Sequence, residues 1–238
     1  MKILRLSLRL GAAVLLVLAL ADRAPSQSLT ISNFSFENAT GYGAQSASPS
    51  SWGDVLATPG SGCNGNVVLG SGFSGYLGNN ILRLNLDPSE PLYDTGTSWV
   101  SSVSLGTYQS NSLYTLTVSI AADQGNEQQS AIIALAAGGF SGGATTPSNT
   151  VAFTLVNRTN LTTAFQDYTV TFSTYMNPDA VGQGIGILLE NQAISQPYGR
   201  EIAYDNVRLS FIAIPEVSTF ALLLFAAPIG LLFRRRHA

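Results

Sequence analysis

Two kinds of apolar pattern divide the chain. Between residues 22 and 213 apolar positions come in short alternating runs, whereas at both ends they form uninterrupted blocks. The clearest alternation is Tyr114-Thr-Leu-Thr-Val-Ser-Ile120. In an extended chain this places Tyr114, Leu116, Val118 and Ile120 on one side and hydroxyls on the other, the pattern of a half-buried strand. Leu82, Leu84 and Leu86 alternate with Arg83, Asn85 and Asp87, and Tyr168, Val170 and Phe172 share one side of 166–174. Runs at 98–105, 131–137, 151–156 and 184–190 are apolar enough for buried strands, with two short pieces at 52–56 and 67–69.

Two stretches change phase. Leu29 and Ile31 alternate in one register and Phe34 and Phe36 in the other; Ile202 and Tyr204 are likewise followed by Val207, Leu209 and Phe211. A flip within one extended segment predicts a bulge or bend, because a one-residue slip exchanges the two faces. About nine to eleven short strands separated by Gly-, Ser-, Asn- and Pro-rich turns, without helical periodicity, predict an all-β, jelly-roll-like β-sandwich over residues 22–213.

The terminal blocks read differently. Lys2, Arg5 and Arg9 precede an apolar run from Leu10 to Leu20 that ends in an Ala-x-Ala pattern at Ala19 and Ala21. This is the layout of a signal peptide over residues 1–21, with a helical apolar core, cleaved after Ala21 or near Ser26, and it implies the Sec translocon and signal peptidase as partners. At the other end Val217–Phe233 carries no charge over 17 residues, just enough for a single membrane-crossing helix, and Arg234, Arg235 and Arg236 follow it. Their position predicts a cytoplasmic C-terminus.

The tail 214–238 resembles the PEP-CTERM sorting signal on Pro215, Glu216, Ser218 and Thr219, the apolar helix and the three arginines, with Val217 where that family usually has a second proline. The resemblance implies recognition by exosortase, a membrane-embedded protease-transpeptidase. It further implies a transient stay in the inner membrane, then transfer to the cell-envelope surface or the extracellular matrix, often alongside exopolysaccharide production. A second resemblance rests on the first strand, NFSFE, and the last, AYDNVRLSF, which look like the ends of galactose-binding and carbohydrate-binding-module jelly rolls. It implies that the first and last strands pair.

Charge sharpens the picture. The whole chain carries −3, yet residues 22–213 hold five arginines, no lysine and thirteen carboxylates, a net of −8. Such a body does not suit nucleic acid, whose phosphates need basic partners. Its lone cysteine, Cys63, allows no intrachain disulfide. Its only histidine, His237, lies beyond the apolar tail, which removes Ser-His-Asp and Cys-His catalysis and histidine-ligated metals from the body.

Carboxylates remain. Glu37 follows the first strand and Asp205 sits at the phase flip of the last, so pairing of those strands would bring two hard oxygen ligands together as a structural Ca²⁺ site. The alternative is that Asp205-Asn206 is a bulge with local side-chain bonds. Among aromatics beside turn formers, Trp52 and Tyr93 are the candidate glycan contacts. Asp123, Glu127 and Glu190 are the candidates for a hydrolytic carboxylate pair, with no spacing that singles them out. The expectation is therefore a non-catalytic exported envelope or matrix protein that binds polysaccharide. The alternatives are a purely structural surface protein and a carboxylate-dependent glycan hydrolase or lyase.

Overall fold

The computed structural model describes residues 26–31, 34–37, 52–54, 64–70, 72–85, 98–101, 105–122, 129–138, 150–193 and 201–214. The signal-peptide block, the membrane-helix block and every residue of the sorting motif fall outside these ranges, as do Cys63, Tyr93, Asp123 and Glu127. Among the described residues no helix is long and apolar enough to cross a membrane.

The alternating runs become eleven strands: β1 (Gln27–Leu29), β2 (Trp52–Asp54), β3 (Asn64–Leu69), β4 (Asn80–Asn85), β5 (Ser98–Ser101), β6 (Ser112–Ala122), β7 (Gln129–Ala137), β8 (Thr150–Asn157), β9 (Gln166–Ser173), β10 (Ile185–Ala193) and β11 (Glu201–Ala213). Two single-turn 3-10 segments, Arg158–Asn160 and Pro178–Ala180, interrupt the strand pattern. Of the strand expected over 98–105, Ser98–Ser101 is strand, 102–104 lie outside the described residues, and Leu105 is buried in the core.

The strands form two sheets. The first has the order β3-β4-β11-β6-β9, with β1 also on β11, and the second the order β2-β5-β10-β7-β8. β11 holds this arrangement together. Its first part, Glu201–Tyr204, pairs with β4, and its later part, Leu209–Phe211, pairs with β1. First and last strands are thus neighbours, but the first is Gln27–Leu29: in the segment NFSFE, expected to be that strand, Phe34, Ser35 and Phe36 form a turn.

Between the two partners lies the predicted phase flip. Ile202 and Tyr204 point into the core, and so do Val207 and Leu209. The change of face is made at Asp205-Asn206, where Asn206 takes a left-handed backbone (φ 51) that asparagine tolerates better than most residues. The matching flip in the first segment is a turn at 34–36 with Phe36 at φ 57, and the Val207 N–H bonds the Phe34 carbonyl at 2.9 Å.

The alternation also dictates the core. Leu82, Leu84, Leu116, Val118, Ile120, Ile202 and Tyr204 of the first sheet face Ile133, Leu135, Ile187 and Leu189 of the second, all fully buried. Each large aliphatic group buried this way contributes about 1.5–3 kcal/mol. Tyr108, Tyr114 and Phe172 close one end with edge-on ring contacts at 4.9 and 5.1 Å. Burial drives the Tyr108 hydroxyl far above its ordinary pKa, and it stays neutral while donating to the Ala136 carbonyl at 3.1 Å.

Candidate functional site

Strand period places the most unusual group of the second sheet. On β10, Ile187 and Leu189 point inward, so Leu188 and Glu190 must point to the other face. Register then sets their neighbours on β7: Ala134 lies opposite Leu188, and Ile132 opposite Glu190. Ile132, Ala134 and Leu188 form an apolar cluster of their own, separate from the main core. Phe153 and Leu155 of β8 continue that face, opposite Ala134 and Ile132, and are 61% and 43% exposed.

Glu190 is therefore a carboxyl group on an apolar surface. It is fully buried, and neither side-chain oxygen has a hydrogen-bond partner among the described residues. Desolvation raises its pKa to about 8, because an ionised carboxylate without partners is strongly disfavoured in apolar surroundings. At neutral pH it is mostly the neutral acid, a proton donor.

Its backbone is held from across the core. The Tyr204 hydroxyl donates to the Glu190 carbonyl at 2.5 Å, and the Asn191 side-chain amide donates to the Leu84 carbonyl at 2.8 Å. Both bonds join β10 to the first sheet, so the position of Glu190 is set by the whole sandwich.

The second carboxylate centre is at the edge of the first sheet. Here the structure does bring Glu37 and Asp205 together. Glu37 Oε1 accepts the Asn79 and Asn80 N–H groups at 2.8 and 2.9 Å, while the Asp205 oxygens accept from Leu77 and Asn206 N–H at 2.5 and 2.7 Å. Gly78, at φ +77, lies so close that a Cβ there would overlap the Glu37 carboxyl. Burial raises the Asp205 pKa to about 7; its two amide bonds act against this and the Glu37 charge adds to it.

The donor set suits a hard divalent cation. Among the described residues Glu37 Oε2 takes no amide bond, each Asp205 oxygen keeps a lone pair, and the two carboxyls are near enough for the Glu37 charge to act on Asp205; a cation would favour the ionised form of both. Among the described residues, no third histidine, cysteine or carboxylate joins them, so further oxygens would come from backbone carbonyls or water.

The predicted glycan contacts fare differently. Trp52 is 3% exposed and packs in the core against Phe36, ring centroids 5.3 Å apart. Its ring is not presented to a ligand. The Gly/Ser/Pro neighbours that suggested a loop only flank a short strand whose tryptophan turns inward. Of the hydrolytic candidates, Glu190 is described and stands alone on its face.

Comparison with known proteins adds the family. A family model described as HpiC1-like, HpiC1 cyclase, matches residues 27–210. The sandwich is similar to the crystal structure of a cyclase from Fischerella sp. TAU, with a TM-score of 0.59 and 21% identity over 81% of this chain and 100% of that one. It is equally similar to a cyclase of the same source in complex with 4-(1H-indol-3-yl)butan-2-one (TM-score 0.59, 21% identity, 80% and 100% covered). A Stig cyclase in complex with an indole derivative bearing a pyrrolidinylidene group gives 0.58 and 21%, over 79% and 100%. No curated protein matches the chain.

The expectation of a non-catalytic body is overturned by the family match. The body has no histidine, and a lone carboxyl kept protonated at neutral pH by burial leaves no mark in residue spacing. Over most of its sandwich the chain belongs to the HpiC1-like cyclase family.

Proposed function

We propose that the protein is a cyclase that closes a ring in an apolar substrate by proton transfer, with Glu190 as the acid. The observation that carries this reading is the fully buried carboxyl on the apolar outer face of the second sheet, with no partner and a pKa near 8. A neutral acid there gives its proton to a substrate π-bond. The resulting cation is attacked by a second π-bond or nucleophile of the same molecule, which forms the ring bond. Loss of a proton back to the Glu190 carboxylate restores the enzyme. The net change is an isomerisation, so no oxidant or reductant enters the balance.

Ile132, Ala134 and Leu188, buried on the same face, keep Glu190 in apolar surroundings and exclude the water that would intercept the cation. The indole ligands of the related structures make indole-bearing compounds the first to test. Glu37 and Asp205 would hold a calcium ion as a structural clip between the 34–37 turn, the 77–80 loop and β11. Delivery is a further part of the reading: the layout of 1–21 and 214–238 supports export and exosortase-dependent sorting to the envelope.

The test is Glu190→Gln, which keeps shape and removes the acidic proton. Cyclisation of an indole-bearing substrate is expected to fall by about 10²–10⁴-fold with the fold intact. Undiminished turnover in the variant would refute the assignment. For delivery, replacing Arg234, Arg235 and Arg236 with alanine is expected to abolish tail processing and surface display; unchanged processing would contradict it.

A further inference from the structure

A second site lies at one end of the sandwich, away from Glu190. The ends of β7 and β8 and the loop that carries the Pro178–Ala180 turn enclose an open depression of about 370 Å³. Small-molecule sites begin near this size. Ala137 on its wall is five residues from Ile132 along β7, roughly 17 Å from the Glu190 position at strand rise.

Its chemistry is one-sided. Ala137, Val151 and Met176 give apolar walls, and Asn177, Asp179 and Gln183 give polar ones. Both amides have their N–H ends engaged by backbone: Asn177 Nδ2 donates to the Ser173 carbonyl at 3.1 Å, and Gln183 Nε2 to the Asp179 carbonyl at 2.7 Å. Each amide thus spends one of its two N–H donors on the backbone and keeps its carbonyl oxygen as an acceptor, beside the Asp179 carboxylate. None of the lining residues is lysine, arginine or histidine. Met176 is 73% exposed, and Tyr175 beside it 65%. Met176 is an adaptable apolar wall for a ligand body.

We propose that this depression binds a small organic cation, an amine or ammonium group on an apolar body. The ammonium donates to the Asp179 carboxylate and the two amide oxygens, and the body lies along Met176, Val151 and Ala137. The acidic surface of residues 22–213, at −8, draws such a ligand in. The site is independent of the acid at Glu190 and does not rest on the cyclase reading.

The sequence provides its own reporter, because Met1 and Met176 are the only methionines. In the full chain labelled with ¹³C-methyl methionine, benzylammonium is expected to shift the Met176 signal saturably, while neutral benzyl alcohol does not. Asp179→Asn, a change at an exposed side chain, is expected to weaken the benzylammonium response at least about fivefold. Glu190→Gln is expected to leave it unchanged, even where that variant abolishes cyclisation. A Met176 signal that does not shift saturably at tens of millimolar benzylammonium would overturn the proposal. So would an equal response to benzyl alcohol, or indifference to Asp179→Asn.

Discussion

Glu190 and Asp205 are both fully buried carboxyl groups, and they sit on the last two strands of one sandwich. Their surroundings are opposite. Asp205 accepts two backbone N–H bonds and has a second carboxylate nearby, whereas Glu190 meets aliphatic neighbours and no hydrogen-bond donor among the described residues. Burial raises both by a similar amount, Asp205 to about 7 against its two amide donors and Glu190 to about 8 with no donor to oppose it, so the difference lies in their bonding partners. One carboxyl is tied into the backbone as a fastening. The other is left with nothing to do in the fold except hold a proton, and that separates a structural group from a chemical one.

The largest expected effect separates them by activity. Glu190→Gln should lower cyclisation by about 10²–10⁴-fold, whereas Asp205→Asn should leave the chemical step within a few-fold of wild type. An activity assay of the two purified variants decides it, and comparable losses in both would erase the distinction.

Stability should separate them by what their side chains bond. The folded state raises the Glu190 pKa from 4.5 to about 8, so the folded chain binds the extra proton. Stability is then undiminished below about pH 4.5, falls as pH rises through that window, and levels off above about 8. At pH 7 the penalty approaches roughly 3 kcal/mol at 1.36 kcal/mol per pKa unit. Glu190→Gln should remove it and flatten urea-unfolding stability between pH 7 and 8. Asp205, raised from 3.8 to about 7, follows the same pH trend, so the clean comparison is at about pH 4, where Asp205→Ala should destabilise by about 1–3 kcal/mol because the Leu77 and Asn206 N–H groups lose their acceptor, and Glu190→Gln should change stability little.

Calcium gives a smaller effect confined to the edge. Millimolar Ca²⁺ should raise the melting temperature of wild type and Glu190→Gln by a few degrees and leave Glu37→Gln unchanged. Thermal scans with calcium and with EDTA check this. The smallest effect concerns the bulge. Asn206 adopts φ 51, so Asn206→Ala should cost about 1–2 kcal/mol by placing a Cβ in the left-handed region without asparagine's local bonding.

How far the sequence revealed these two regions follows from what fixes each. The Asp205 edge was legible in part because the phase flips in 29–36 and 202–211 are local signals; the 34–37 turn, bonded to β11 through Val207 N–H and Phe34 carbonyl, brings Glu37 near Asp205. Strand period likewise gave the inward residues of β6, β9 and β11. Glu190 could be listed from sequence but not understood. Its character depends on Ile132 lying opposite it, a register that joins residues 58 positions apart and that neither segment encodes alone. Trp52 was misplaced for a related reason: a three-residue strand amid turn formers has too little alternation to show which way its aromatic ring points. The depression near Met176 is built by a loop meeting two strand ends, and no periodic pattern marks it.

The central claim is that Glu190 is a neutral acid at working pH. In protein carrying ¹³C-labelled glutamate carboxyls, the resonance missing from Glu190→Gln belongs to Glu190, and its chemical shift can be followed from pH 4 to 10. The account predicts a single titration near pH 8, with the carboxyl protonated at neutral pH. A midpoint below 5 would show an ordinary ionised carboxylate and contradict the assignment of Glu190 as the proton donor.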